Sequence, residues 1–93
     1  MMAEQKTQLV GIGFGNYISA EKLVSVLSPD SAPIKRVISD SRERGLLIDA
    51  SFGRSTRSVL VMNSGHLILS ALSTDEIRAR ITGGMQESEV PTA

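Results

Sequence analysis

"SVLVMNSGHLILS", residues 58–70, decides the fold that we predict for this chain of 93 residues. Two aliphatic runs flank the turn sequence Asn63-Ser64-Gly65, a pattern that indicates a β-hairpin. Both runs are apolar without alternation, so both faces of these strands should be buried. Two short helices can cover one face of such a sheet, and no other predicted element is available to cover the opposite face. We therefore expect a second subunit to cover it.

Three further strands are predicted on the N-terminal side of this hairpin. The segment "LLIDASF", residues 46–52, is the nearest, and "QLVGIGFGNYIS", residues 8–19, is interpreted as a strand followed by a tight turn. The segment "EKLVSVLSP", residues 21–29, also fits a short helix, but Val24, Val26 and the closing Ser28-Pro29 favour a strand.

Two helices complete the prediction. Ser31 can cap the first, Pro33 fits its first turn, and Gly45 ends it. Its apolar face is expected to comprise Ile34, Val37, Ile38 and Ser41. The second helix begins at the capping box Ser73-Thr74-Asp75-Glu76 and runs to about Thr82. The predicted fold is α+β, a small mixed sheet of about five strands with two helices in the order β-β-α-β-β-β-α.

Composition limits the kind of protein. The chain has no cysteine, which excludes disulfides and thiolate metal sites. The start is polar and no apolar run approaches the roughly 20 residues that span a bilayer. We expect a soluble cytoplasmic protein without a membrane partner, with one domain over residues 1–84 and a disordered acidic tail over residues 85–93.

We find no pattern that predicts an active site. "GIGFGN", residues 11–16, has the spacing G-x-G-x-G and opens no helix, so a turn is favoured over phosphate binding. His66 is the only histidine and flanks a turn, and the carboxylates form no metal-binding cluster. The prediction is a non-enzyme with no cofactor and no metal.

Basic residues are concentrated in the middle of a chain whose net charge is zero. Residues 22–57 hold seven basic side chains against four acids, a local excess of three positive charges. Arg54 and Arg57 stand among serines, a threonine and Gly53, with Asp49 as the only acid in residues 49–58. Arginine and small hydroxyl donors suit phosphate oxygens, although solubilising surface charge is an equally simple interpretation.

The run from Gly11 to Leu72 closely resembles the RemA family of bacterial extracellular-matrix regulators. The resemblance rests on "GFGN" followed by "ISA", and on "SPDSAPIKR", "DSRERG", "DASFGRSTR" and "VLVMNSGHLILS". It implies a DNA-binding transcription regulator with a fold likened to LytTR and Alba domains. It further implies an octamer-like homo-oligomeric ring at the nucleoid that presents repeated basic surfaces to duplex DNA.

The resemblance also implies the DNA-binding residues. The family's DNA-contacting arginines fall on Lys22, Arg54 and Ser55, with Arg57 in the same loop. The family loop usually reads Gly-Arg-Arg-Thr-Arg, so Ser55 replaces an arginine, and Lys22 keeps the charge but lacks the planar guanidinium. Two other interpretations stay open at this point, an Alba-like RNA-binding module and a structural ring that scaffolds other proteins.

Overall fold

The computed structural model describes residues 8–81 as six strands and two helices. The strands are β1 (Leu9–Gly13), β2 (Asn16–Ser19), β3 (Leu23–Leu27), β4 (Leu47–Asp49), β5 (Ser58–Met62) and β6 (Leu67–Ser70). The helices are α1 (Ala32–Glu43) and α2 (Thr74–Ile81), and a single 3-10 turn spans Ala20–Lys22. Strands β1 and β2 form an antiparallel hairpin, and the other four form a mixed sheet in the order β3-β5-β6-β4, with β4 parallel to β6.

The predicted central hairpin is confirmed. Strands β5 and β6 pair antiparallel, with Val61 opposite Leu67. The turn closes through hydrogen bonds from the Met62 amide to the His66 carbonyl and from the Gly65 amide to the Met62 carbonyl, both 3.0 Å long. Gly65 has φ 95°, a conformation that a side chain would strain, which explains the glycine at this position.

Both faces of the hairpin are buried, as predicted, but the chain itself covers them. One face packs in a cluster with residues of β1, β2 and α2, formed by Val10, Ile12, Ile18, Ala50, Leu60, Ile68 and Ile77. The opposite face holds Val59, Leu67 and Leu69, against which Ile34 and Ile38 of α1 pack. The inference that a second subunit must cover one face is therefore wrong, because α1 lies on one side while the β1–β2 hairpin and α2 lie on the other.

Helix α1 begins and ends where the sequence indicates. The Ser31 hydroxyl accepts a hydrogen bond from the Ile34 amide at 3.3 Å, and Gly45 follows the helix with φ 74°. Ser41 is buried, and Ile34 and Ile38 pack against the sheet. Val37, expected on the same face, is 41% exposed.

The capping box of α2 is confirmed by two reciprocal hydrogen bonds. The Ser73 amide donates to Glu76 Oε1 at 2.8 Å, and the Glu76 amide donates to Ser73 Oγ at 3.1 Å. Ile77 in the first turn is fully buried. The capping box defines where α2 begins, and buried Ile77 holds the helix against the core cluster that β1, β2, β5 and β6 share.

The α+β class and the two helices are confirmed, while the strand count differs in detail. The segment predicted as one strand and a turn is a hairpin, because the chain reverses at Phe14-Gly15 and β2 then pairs with β1. The six strands therefore form two sheets rather than one. The predicted end of α2 at Thr82, the domain boundary at residue 84 and the acidic tail lie outside the described residues.

Candidate functional site

The loop that joins β4 to β5, residues 50–57, carries both arginines and is called here the arginine loop. Its ends are fixed to β6, because the Ala50 amide donates to the Leu69 carbonyl at 2.9 Å and the Arg57 amide donates to the Ser70 carbonyl at 2.8 Å. Within the loop the Arg54 amide donates to the Ser51 carbonyl at 3.0 Å. The loop therefore leaves the sheet edge as a tight turn, and its backbone is held at three points.

Asp49, the only acid near the arginines in sequence, stabilises the start of this turn. Its Oδ1 accepts hydrogen bonds from the amide of Ser51, at 2.9 Å, and from the hydroxyl of the same serine. These bonds, with a smaller contribution from the positive charge of Arg42, hold the pKa of Asp49 below its usual value. The Asp49 carboxylate therefore stabilises the backbone at the start of the loop. Neither Arg54 nor Arg57 forms an ion pair within residues 8–81.

Arg54 lies beside two stacked aromatic rings. Its guanidinium carbon is 5.7 Å from the centroid of the Phe14 ring, within the range of a cation–π contact. The Phe14 and Phe52 rings are 5.0 Å apart and nearly parallel, at 11°. This stack joins the arginine loop to the turn between β1 and β2, which is distant in sequence.

Arg57 lies at the other end of the loop, above the N-terminus of α2. It is exposed, and it lines a surface cleft of about 360 Å³ together with the hydroxyl residues Ser28, Thr56, Ser73 and Thr74, and with Pro29 and Asp30. Hydrogen bonds to Ser73 hold the pKa of Glu76 below its usual value, and the positive charge of Arg57 adds to this shift. The cleft therefore combines one cation, Arg57, and one carboxylate, Asp30, with several hydroxyl groups, of which that of Ser28 donates to Asp30.

The structure brings together three of the four predicted DNA-binding residues. Arg54, Ser55 and Arg57 share the arginine loop, and all three are exposed. Lys22 is exposed near the opposite end of β5, where its carbonyl accepts a hydrogen bond from the Asn63 amide at 2.7 Å. Because β5 has five residues and a strand rises about 3.3 Å per residue, roughly 17 Å separate Lys22 from the loop.

The aromatic pair is the feature that sequence reasoning missed. Phe14 and Phe52 are 46% and 70% exposed, and each precedes a glycine with positive φ, Gly15 and Gly53. The repeated Phe-Gly dipeptide was the signal that could have found them, but no pattern in sequence indicates that the two rings meet.

The remaining candidates give no catalytic arrangement within the part of the chain that is described. His66 Nδ1 lies 2.7 Å from the Ser64 hydroxyl in the hairpin turn, as expected for a surface histidine. Across residues 8–81 there is no group of three or more side chains suited to hold a metal ion. Neither helix within this range has the length and apolar character needed to cross a membrane.

Comparison with known proteins places this arrangement in a family. The family model described as RemA-like, extracellular matrix regulatory protein A-like, matches residues 9–81. A Bacillus subtilis protein named "Extracellular matrix regulatory protein A" is 55% identical over 75 residues, which cover 81% of this chain and 84% of the relative. A Dictyoglomus thermophilum protein named "Putative regulatory protein" is 56% identical over 82 residues, covering 88% and 96%. The chain therefore belongs to the RemA-like family.

Proposed function

We propose that this protein is a DNA-binding transcription regulator whose arginine loop contacts DNA phosphates. The observation that carries the proposal is the pair of exposed arginines, Arg54 and Arg57, which lack ion-pair partners within residues 8–81. Guanidinium groups on a loop with serine and threonine hydroxyls are suited to phosphate oxygens. The names of the relatives denote regulators and not enzymes, which supports a regulatory role.

The two ends of β5 would contribute separate phosphate contacts. Arg54, Ser55 and Arg57 form one group, and Lys22 forms the other at a distance of roughly 17 Å. Ser55 can supply a neutral hydroxyl donor, and Lys22 supplies a point charge without the bidentate geometry of arginine. We expect DNA binding to be dominated by the arginines.

Assembly into a homo-oligomeric ring is the second part of the proposal. The two edge strands of the four-stranded sheet, β3 and β4, each expose an aliphatic side chain, Val24 at 62% and Ile48 at 47%. These residues occupy opposite edges, so a contact between the β3 edge of one subunit and the β4 edge of the next is head-to-tail. Head-to-tail contacts generate closed rings when the rotation between subunits permits closure.

A ring would also account for useful affinity. Two or three phosphate contacts per subunit give only a modest, salt-sensitive affinity, because each contact releases about one counterion. Repeating the contacts around one particle makes later contacts intramolecular and raises the total affinity. The proposal thus joins the exposed sheet edges and the arginine loop in one mechanism, with the particle residing at the nucleoid.

The test is the mass of the native particle, measured by light scattering with and without duplex DNA. The proposal predicts a homo-oligomer whose mass increases when duplex DNA is added at low salt. A folded monomer would contradict the ring. An oligomer without affinity for duplex DNA would favour a structural scaffold, and tighter binding to duplex RNA than to duplex DNA would favour an RNA-binding module.

A further inference from the structure

The Phe14–Phe52 pair is an exposed aromatic surface where Phe52 of the arginine loop meets Phe14 of the β1–β2 turn. The two rings stack at 5.0 Å and remain 46% and 70% exposed. A large aromatic ring gains stability by burial, so an aromatic pair held together in solvent leaves apolar area available to a ligand.

Both phenylalanines are also held in a strained backbone conformation. Phe14 has φ 55° and Phe52 has φ 56°, in the left-handed region that residues with a side chain adopt infrequently. The following glycines, Gly15 and Gly53, have φ 80° and 81° and permit each turn to continue. Strain of this kind is concentrated at functional sites, where the fold holds a side chain in one required position.

The charge around the rings selects the kind of ligand. The Arg54 guanidinium lies 5.7 Å from the Phe14 centroid, and Arg57 is three residues further along the same loop. Neither forms an ion pair within residues 8–81. A ligand that offers flat apolar surface next to negative charge fits this combination, and stacked bases between phosphates have these properties.

We propose that the Phe14–Phe52 pair contacts the bases of duplex DNA, with Phe52 pressing against a base-pair step while Arg54 binds a neighbouring phosphate. This inference rests on the proposed function and extends it from the phosphate backbone to the bases. The aromatic contact supplies a part of the affinity that does not depend on counterion release. Partial unstacking of the contacted step is its structural consequence.

The test compares Phe52→Ala, Phe52→Tyr and the unaltered protein in their affinity for one duplex over a range of salt concentrations. Phe52→Ala should weaken binding by roughly 5- to 150-fold, the range for removing one aromatic ring that stacks on a base. The plot of log affinity against log salt should shift downward with its slope unchanged, because every phosphate keeps its partner. Phe52→Tyr keeps the ring and should restore most of the affinity.

Tyr17→Ala is the matched control, because Tyr17 is 65% exposed on β2 and lies outside the aromatic pair. It should bind DNA as the unaltered protein does. A duplex labelled with 2-aminopurine should become more fluorescent on binding the unaltered protein and much less so on binding Phe52→Ala, since that base analogue brightens when it unstacks.

Three results would overturn the inference. Unchanged affinity of Phe52→Ala would show that Phe52 does not press against the bases. A flatter salt slope would show that Phe52 acts only by positioning Arg54, and a smaller particle mass would show that the rings form a contact between subunits. The proposed function fails separately, if the unaltered protein does not bind duplex DNA or if Arg54→Ala leaves the salt slope unchanged.

Discussion

Two fully buried serines, Ser58 and Ser70, lie opposite each other on β5 and β6. The Ser70 hydroxyl donates to the Ile12 carbonyl at 2.8 Å and accepts from the Leu72 amide at 3.0 Å, so it joins the sheet to the β1–β2 hairpin. The Ser58 hydroxyl has no hydrogen-bond partner within the described residues. Serine to alanine is the same chemical change at both positions, but it should have different consequences.

We expect Ser70→Ala to lower the free energy of unfolding by about 2–4 kcal/mol. The substitution removes two hydrogen bonds: the buried Ile12 carbonyl loses this partner at a cost of about 1–3 kcal/mol, and the part-buried Leu72 amide loses it at about 1 kcal/mol. For a domain of this size, each kcal/mol corresponds to a change in Tm of about 4–8 °C, so Tm should fall by roughly 8–32 °C. Ser58→Ala should leave Tm unchanged or raise it slightly, because the hydroxyl that it removes is buried without a partner.

Thermal unfolding followed by circular dichroism measures both variants. The protein concentration must be the same in each sample, because assembly makes Tm depend on concentration. Equal decreases in stability in the two variants would refute the reasoning, since they would show that burial alone, and not the hydrogen bonds of Ser70, determines the cost.

Three other changes test separate parts of the structure. Ile38→Asp places a charge on the face of α1 that packs against the sheet and should cost several kcal/mol, whereas Ser39→Asp on the exposed face should cost little, as thermal unfolding would show. Asp49 has a lowered pKa in the folded state, so its contribution to stability is present above about pH 4 and is lost as the pH falls through the folded value. The difference in Tm between the unaltered protein and Asp49→Asn should therefore be present at pH 7 and shrink as the pH falls below about 4; a difference independent of pH would contradict this. Ser55→Arg should tighten DNA binding and steepen its salt dependence, and an unchanged slope would exclude a phosphate contact at this position.

Local signals in the sequence predicted most of the secondary structure. Ser31, Pro33 and Gly45 define α1, and the reciprocal bonds of Ser73 and Glu76 define the start of α2. These features depend on residues three or four apart, so their physical chemistry can be interpreted from a short window. The central hairpin is equally local, because its turn and its two apolar strands are contiguous.

Long-range contacts were not predictable in the same way. Strand β2 has four residues with one buried side chain, Ile18, which is too weak a pattern to distinguish from the end of a turn. The covering of both sheet faces by one chain depends on where the β1–β2 hairpin docks, and its docking bond from Ser70 to Ile12 joins residues 58 positions apart.

The same difference between local signals and long-range contacts applies to the candidate site. Arg54 and Arg57 stand out in the sequence because Asp49 is the only acid in residues 49–58. The structure shows that Asp49 accepts hydrogen bonds from Ser51 and forms no ion pair with either arginine. The aromatic stack beside Arg54 joins Phe14 to Phe52 across the fold, so only the structure shows it. Lys22 was assigned by resemblance, and its separation from the loop follows from the antiparallel pairing of β3 with β5.

The salt dependence of DNA binding by Arg54→Ala tests the central claim most directly. Arg36→Ala is the matched control, because Arg36 is also exposed but lies on α1. If Arg54 contacts phosphate, Arg54→Ala should bind duplexes of any sequence more weakly and flatten the plot of log affinity against log salt by about 0.9 for each phosphate that Arg54 neutralises. The particle mass should remain unchanged, and Arg36→Ala should behave as the unaltered protein. An Arg54→Ala protein that keeps its mass, its affinity and its salt slope would contradict the account.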